Sequence, residues 1–254
     1  LKFFDVALRA DLRTEADLAN LVYFGLEGAL VVCGEGRPSD DSVRVIERFD
    51  ETIAAQGRLS LDHQIEVQAA IGLRASCAPR RAHPEVTEAM NERAVAGSLR
   101  AVGPIEWPDS TSTCLWQFEA ARSNDLPVLV AVPPRTGEIP VHRLREFAQE
   151  TGLEASDIVL FGCDFTNVRA AVQSGFWLVA DLSLGGIGWE AGADLAERFG
   201  ERVAARMMLS VSGHSGFDVL AAARFAERVR GGKLKPHVVE GILSANAQSR
   251  FAPR

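Results

Sequence analysis

The strongest constraint in this chain is a rhythm. Short apolar runs alternate with longer amphipathic segments, and the pair recurs eight times. The apolar runs lie at 2–8, 28–33, 66–73, 98–105, 127–132, 157–161, 176–180 and 206–211. Most of these runs are continuously apolar and do not alternate with polar residues, the pattern of strands buried on both faces of a parallel sheet. The amphipathic segments between them predict helices near 14–25, 39–56, 84–95, 111–124, 140–151, 166–174, 190–199 and 217–230, with a last helix at about 236–248. Thr14 with Asp17 three residues on reads as a capping box, and Gly152 and Gly175 as helix stops. Strict strand–helix alternation requires parallel strands joined by helical crossovers. Eight units in 254 residues predict a single (β/α)8 TIM-type barrel over 1–254 with an extra C-terminal helix. No proline- or serine-rich linker divides the chain.

Composition sets outer bounds. With 47% hydrophobic residues the chain can fill one large core. A net charge of −7 argues against a broad nucleic-acid footprint. No apolar run approaches the roughly 18 residues that a membrane span needs, and no secretory leader is read at the start. Cys33, Cys77, Cys114 and Cys163 are scattered without CxxC spacing, as expected of reduced thiols in a cytoplasmic protein.

In such a barrel, function sits where the strands end. Arg9 stands at the first exit. Cys33, Gly34 and Glu35 follow the second strand, Arg74 and Ser76 the third, and Glu106 and Trp107 the fourth. Cys163 and Asp164 follow the sixth, Asp181 and Ser183 the seventh, and Ser212, Gly213, His214 and Ser215 the eighth. The first exit reads Asp5-Val6-Ala7-Leu8-Arg9, the third Gly72-Leu73-Arg74-Ala75, the fourth Gly103-Pro104-Ile105-Glu106-Trp107, and the fifth strand Pro127-Val128-Leu129-Val130-Ala131. The chain closes with Asn246-Ala247-Gln248-Ser249-Arg250-Phe251.

On these motifs the chain resembles, over nearly its whole length, the TatD-related branch of the metal-dependent amidohydrolase superfamily. That family opens with Asp-x-His-x-His and carries Gly-x-His-Pro, Pro-Val-x-x-His and a closing Asn-x-x-x-Arg pattern. The resemblance implies a hydrolase fold whose divalent ions activate water. It also implies that the family's ligand positions fall here on Ala7, Arg9, Pro104, Ala131, Gly162 and Ser212. Only a serine hydroxyl among these is any kind of ligand, and Arg9 adds a fixed positive charge. The expectation is a catalytically inactive barrel without cofactor or metal, acting as a scaffold, a regulatory partner or a binder of a small anion.

Arg9 and Arg74 would then either pair with Glu35, Glu106 or Asp164 as an internal plug or, with His214 and Ser215 at the start of the last barrel helix, hold an anionic ligand. The alternative is a divergent phosphodiesterase-like hydrolase with a site rebuilt around His214, Asp164 and Glu106, or Asp181. A cysteine nucleophile at Cys33 or Cys163 lacks a paired base in the sequence. The Gly185-Gly186-Ile187-Gly188 stretch suggests a flexible lid, and Trp107 and Trp189 suggest pocket walls.

Overall fold

The computed structural model describes residues 1–33, 41–73, 84–107, 111–133, 135–183, 185–212 and 217–252. Eight strands form one parallel sheet in sequence order: β1 Phe3–Leu8, β2 Leu26–Val32, β3 Glu66–Ile71, β4 Ala101–Glu106, β5 Val128–Ala131, β6 Ile158–Phe161, β7 Trp177–Asp181 and β8 Met207–Ser210. β8 comes back beside β1, where the Ser212 hydroxyl, just past β8, donates to the Asp5 carboxylate. The sheet is thereby wrapped into the expected (β/α)8 barrel.

The crossovers are α1 Glu15–Tyr23, α2 Ser42–His63, α3 Pro84–Val95, α4 Thr111–Ser123, α5 Ile139–Thr151, α6 Val168–Ser174, α7 Gly188–Phe199 with the short α8 Glu201–Ala204, and α9 Ala221–Arg230. The Thr14 capping box forms reciprocally, its side chain accepting from the Asp17 amide while Asp17 accepts from the Thr14 amide. α2 runs seven residues beyond the expected end at 56. Its buried stripe of Val45, Phe49, Thr52, Ala55 and Leu59 continues past Gly57, which faces open space, so burial outweighs the roughly 1 kcal/mol propensity penalty of one glycine. His63 therefore ends a helix, against Glu15 at 2.9 Å, and does not sit in a loop. α9 starts four residues later than the periodicity suggests.

The barrel has two apolar layers. Strand residues such as Val31, Ala69, Val130 and Leu178 face the helices, while Phe4, Leu30, Leu129, Val159 and Met208 fill the interior. The C-terminal segment closes the end where the strands begin. It comprises α10 Pro236–Glu240, a π-helical turn Gly241–Ala245 and α11 Asn246–Phe251, where the sequence predicts one helix. Asn246 donates to the Met207 carbonyl (2.8 Å), Arg250 to Asp157 just before β6 (2.6 Å), and Phe251 stacks on Phe4 with ring centroids 6.5 Å apart. The closing Asn-x-x-x-Arg-Phe pattern is thus the floor plug of the barrel.

Candidate functional site at the barrel mouth

At the first exit the chain does not run on as an open loop. A 3-10 turn over Ala10–Leu12 folds it back, with the Leu12 amide donating to the Arg9 carbonyl at 3.0 Å. The turn lays the Asp11 carboxylate against the Arg9 guanidinium. Nε donates to Oδ1 at 2.9 Å and Nη2 to Oδ2 at 2.8 Å, a bidentate fork. The Arg9 side chain is only 6% exposed, so its charge is held inside the mouth. Asp11 is a partner that strand-exit reasoning did not nominate. The same turn sends Arg13 across to β8, where Nη2 donates to the Ser212 carbonyl at 3.0 Å and the guanidinium lies over the Phe217 ring at 4.7 Å.

Below this cationic rim lies a buried acidic cluster. Asp5 and Asp181 are both essentially inaccessible, as are Ser183, Ser210 and Ser212. Asp5 accepts from the Ser212 hydroxyl and, at 3.1 Å, from the Ala7 amide. The Ser210 hydroxyl faces the same carboxylate without closing a hydrogen bond of ordinary geometry. Burial pushes the Asp5 carboxyl above its ordinary value; the hydrogen bonds oppose this, and the charge of Asp181 adds to it. Burial likewise lowers the Arg13 pKa, opposed first by Asp5.

Asp5 in its charged form is thus a standing cost of the fold. A carboxyl whose pKa is raised on folding stabilises most below its unfolded value, near 3.8, and loses that contribution as pH climbs through the folded value. Asp5→Asn keeps the acceptor for the Ala7 amide and offers an amide hydrogen to Ser212. It should therefore raise stability by about 1–3 kcal/mol at pH 7–8 and leave it unchanged near pH 3. Thermal melts of both proteins across that range test this; equal pH profiles would count against it.

Asp164 is committed elsewhere. Its Oδ1 accepts from the Thr166 amide (2.7 Å) and hydroxyl (2.6 Å), and its Oδ2 from the Arg135 amide (2.7 Å). It ties the loop after β6 to the loop after β5. Glu106 ends β4 half-buried, paired in register with Ala131. Arg74, His214, Ser215 and Glu35 lie outside the described residues. Trp107 is no pocket wall. It is buried toward α5, packed on Phe147 with centroids 5.2 Å apart, and donates to the Pro140 carbonyl at 2.8 Å. Trp189 is half-buried against the outer core. The glycine stretch is tied down: the Gly186 amide donates to the Ser183 carbonyl at 3.0 Å and the Ile187 amide to the Asp181 carbonyl at 2.9 Å. Burial raises the thiol pKa of both Cys33 and Cys163, which keeps them protonated and poor nucleophiles.

Asp5, Asp11 and Arg13 escaped the sequence reading as site residues. Asp5 had a usable signal, a lone carboxylate within the apolar run FFDVAL. Asp11 and Arg13 had none, since their placement depends on the turn.

The fold and this mouth define the chain as a (β/α)8 barrel with a polar, charged upper end. No protein-family model matches the chain, and no curated protein matches it. Among solved structures, the chain is similar to a TatD-like protein from Archaeoglobus fulgidus, with a TM-score of 0.79 at 16% identity, covering 99% of this chain and 100% of that one. An adenine deaminase from Arthrobacter aurescens follows at a TM-score of 0.51 and 12% identity, covering 96% and 76%. A ribulose-1,5-bisphosphate carboxylase/oxygenase from Pyrococcus horikoshii stands at 0.50 and 12%, covering 98% and 63%. The (β/α)8 fold is therefore one that this chain shares, over its whole length, with that TatD-like protein. Among the described residues, no three His, Cys, Asp or Glu side chains converge as a metal-holding group, and no helix is long and apolar enough to cross a membrane.

Proposed function

We propose that this chain is a TatD-like barrel that has given up metal-dependent hydrolysis, its mouth closed by its own charged side chains, and that it works as a non-catalytic scaffold or regulatory partner in the cytoplasm. One observation carries the reading. At Gly162, where the TatD-related motif places a histidine, the backbone has a φ of +80°, and a Cβ would lie 2.2 Å from the Val132 carbonyl oxygen. No side chain of any kind fits there without rebuilding the loop.

The other positions agree. Ala7 and Ala131 offer methyl groups and Pro104 a ring. The Arg9 guanidinium is locked to Asp11, and the Ser212 hydroxyl and carbonyl are taken by Asp5 and Arg13. This set does not fit a divalent ion, which requires several convergent carboxylate or imidazole donors. Asp164 is an unsuitable donor for a rebuilt site, because its oxygens already hold three hydrogen bonds. The buried free thiols of Cys33, Cys114 and Cys163 accord with a reducing compartment.

The test is hydrolysis of an activated phosphodiester by the full chain, with zinc, manganese or magnesium added in turn. The expected result is no turnover above that of buffer plus metal. Metal-dependent turnover that copurifies with the protein and is lost in Asp5→Asn overturns the reading.

A further inference from the structure

We propose that the outer face formed by α3, α4 and α5 is where two copies of this chain pair about a two-fold axis, independently of what the barrel mouth does. These helices are consecutive in the ring, α3 packed on α4 and α4 on α5. Each carries a large apolar side chain into solvent: Val95 is 82% exposed, Leu115 40% and Ile139 66%. A groove of about 820 Å³ runs along α3, lined by Pro84, Thr87, Glu88, Asn91, Glu92 and Val95. Pro84, Glu88, Asn91 and Val95 recur at helical spacing on one stripe. Asn91 accepts from Asn124, at the end of α4, at 2.9 Å, so that stripe leans toward α4. On α5, Ile139 and Arg143 share a stripe with Phe147, which meets Phe118 of α4 edge-on with centroids 5.0 Å apart. The two stripes thus flank α4 from opposite sides.

Charge decides what fits the groove. The α3 flank is acidic. Glu88 and Glu92 stand one turn apart, like charges that work against the helix, and neither meets a cation among the described residues. The α5 flank is apolar and basic at its upper end, where Arg143 follows Ile139 by one turn and also lacks an ion pair among the described residues. A two-fold axis along α4 lays the α5 of each copy on the α3 groove of the other. Glu88, Leu115 and Arg143 each stand four residues past the first residue of their helices. At that level Leu115 meets its own counterpart on the axis and each Arg143 meets the other copy's Glu88, with Ile139 over Pro84 one turn above. Lower on α5, Glu146 and Glu150 would oppose Glu92 if the helices ran parallel. Helices packed at the usual angles of about 20–50° cross at the upper turn and carry those charges apart. A net charge of −7 per chain keeps copies apart in general, so the pairing rests on this local match.

Sedimentation equilibrium of the full chain, from about 1 to about 100 μM, tests this. The expected result is a species of twice the chain mass that weakens as sodium chloride is raised. Arg143→Glu and Glu88→Arg should each raise the dissociation constant about tenfold or more, and the two reversals together should restore it to within about threefold. Leu115→Glu, which sets two carboxylates face to face on the axis, should leave monomer only. All three side chains are exposed, so the variants should fold. A single species of one chain mass across the range overturns the proposal and leaves the groove to a different protein or to none. A dimer that the single reversals leave intact, or a double reversal no tighter than the singles, overturns it as well.

Discussion

Replacing Phe251 by alanine should destabilise the protein by about 3–5 kcal/mol, the usual range for a fully buried phenylalanine. The side chain is 1% exposed and enters the barrel from below, where it meets Phe4 of β1. Nothing beside it can collapse inward, because the strands around it are held by their own ladders. For a chain of this length the loss should lower the melting temperature by about 10 °C. Arg250 would still hold Asp157, so α11 should stay docked while the core beneath it loses packing. Phe251→Leu should recover much of the loss, since it refills most of the volume. A loss under about 1 kcal/mol in the alanine variant would mean that the C-terminal segment is not the floor of the barrel.

The second large effect is expected at Gly186. A Cβ there would stand 2.4 Å from the Asp181 carbonyl oxygen and 2.6 Å from the carboxyl carbon of the same residue. Neither atom can retreat. The carbonyl accepts from the Ile187 amide, and the carboxylate accepts from the Ser183 amide at 3.0 Å. Gly186→Val should therefore force the loop off Asp181 at a cost of about 2–4 kcal/mol. The amide of Ile187 should also exchange faster with solvent, because its hydrogen bond to Asp181 would open. A valine variant with unchanged stability and unchanged exchange at Ile187 would show that the loop does not rest on the buried carboxylate.

The fold was legible because a parallel barrel imposes its pattern locally. Each strand must be apolar along its length and each crossover amphipathic, so runs such as Pro127–Val132 and Phe176–Ala180 announce themselves. The Thr14 capping box is equally local, with both partners within four residues. The C-terminal plug could be read as a motif, though its role needed Phe4, Met207 and Asp157 from three distant strands or strand entrances.

The mouth was less legible, for a physical reason. Whether Arg9 meets a carboxylate depends on where the chain turns, and a three-residue 3-10 turn leaves little mark in the sequence. It gave Arg9 the neighbouring Asp11, where spacing along the barrel had suggested Glu35, Glu106 or Asp164. Asp164 looked like a free strand-exit carboxylate, but two loop amides and a hydroxyl claim it. The second helix, expected to end near 56, continues because the buried stripe beyond Gly57 carries α2 onward. In α2 tertiary burial outweighed a local preference of about 1 kcal/mol, whereas at Arg9 and Asp164 the deciding turns are short and carry little sequence signal.

Elemental analysis of the purified full chain, after incubation with zinc or manganese and gel filtration, bears most directly on the proposal that the mouth holds no metal. A mouth floored by methyl groups, locked guanidiniums and an occupied serine should retain far less than one transition ion per chain, with an unchanged melting temperature. About one ion per chain, surviving filtration and raising the melting temperature, would contradict it.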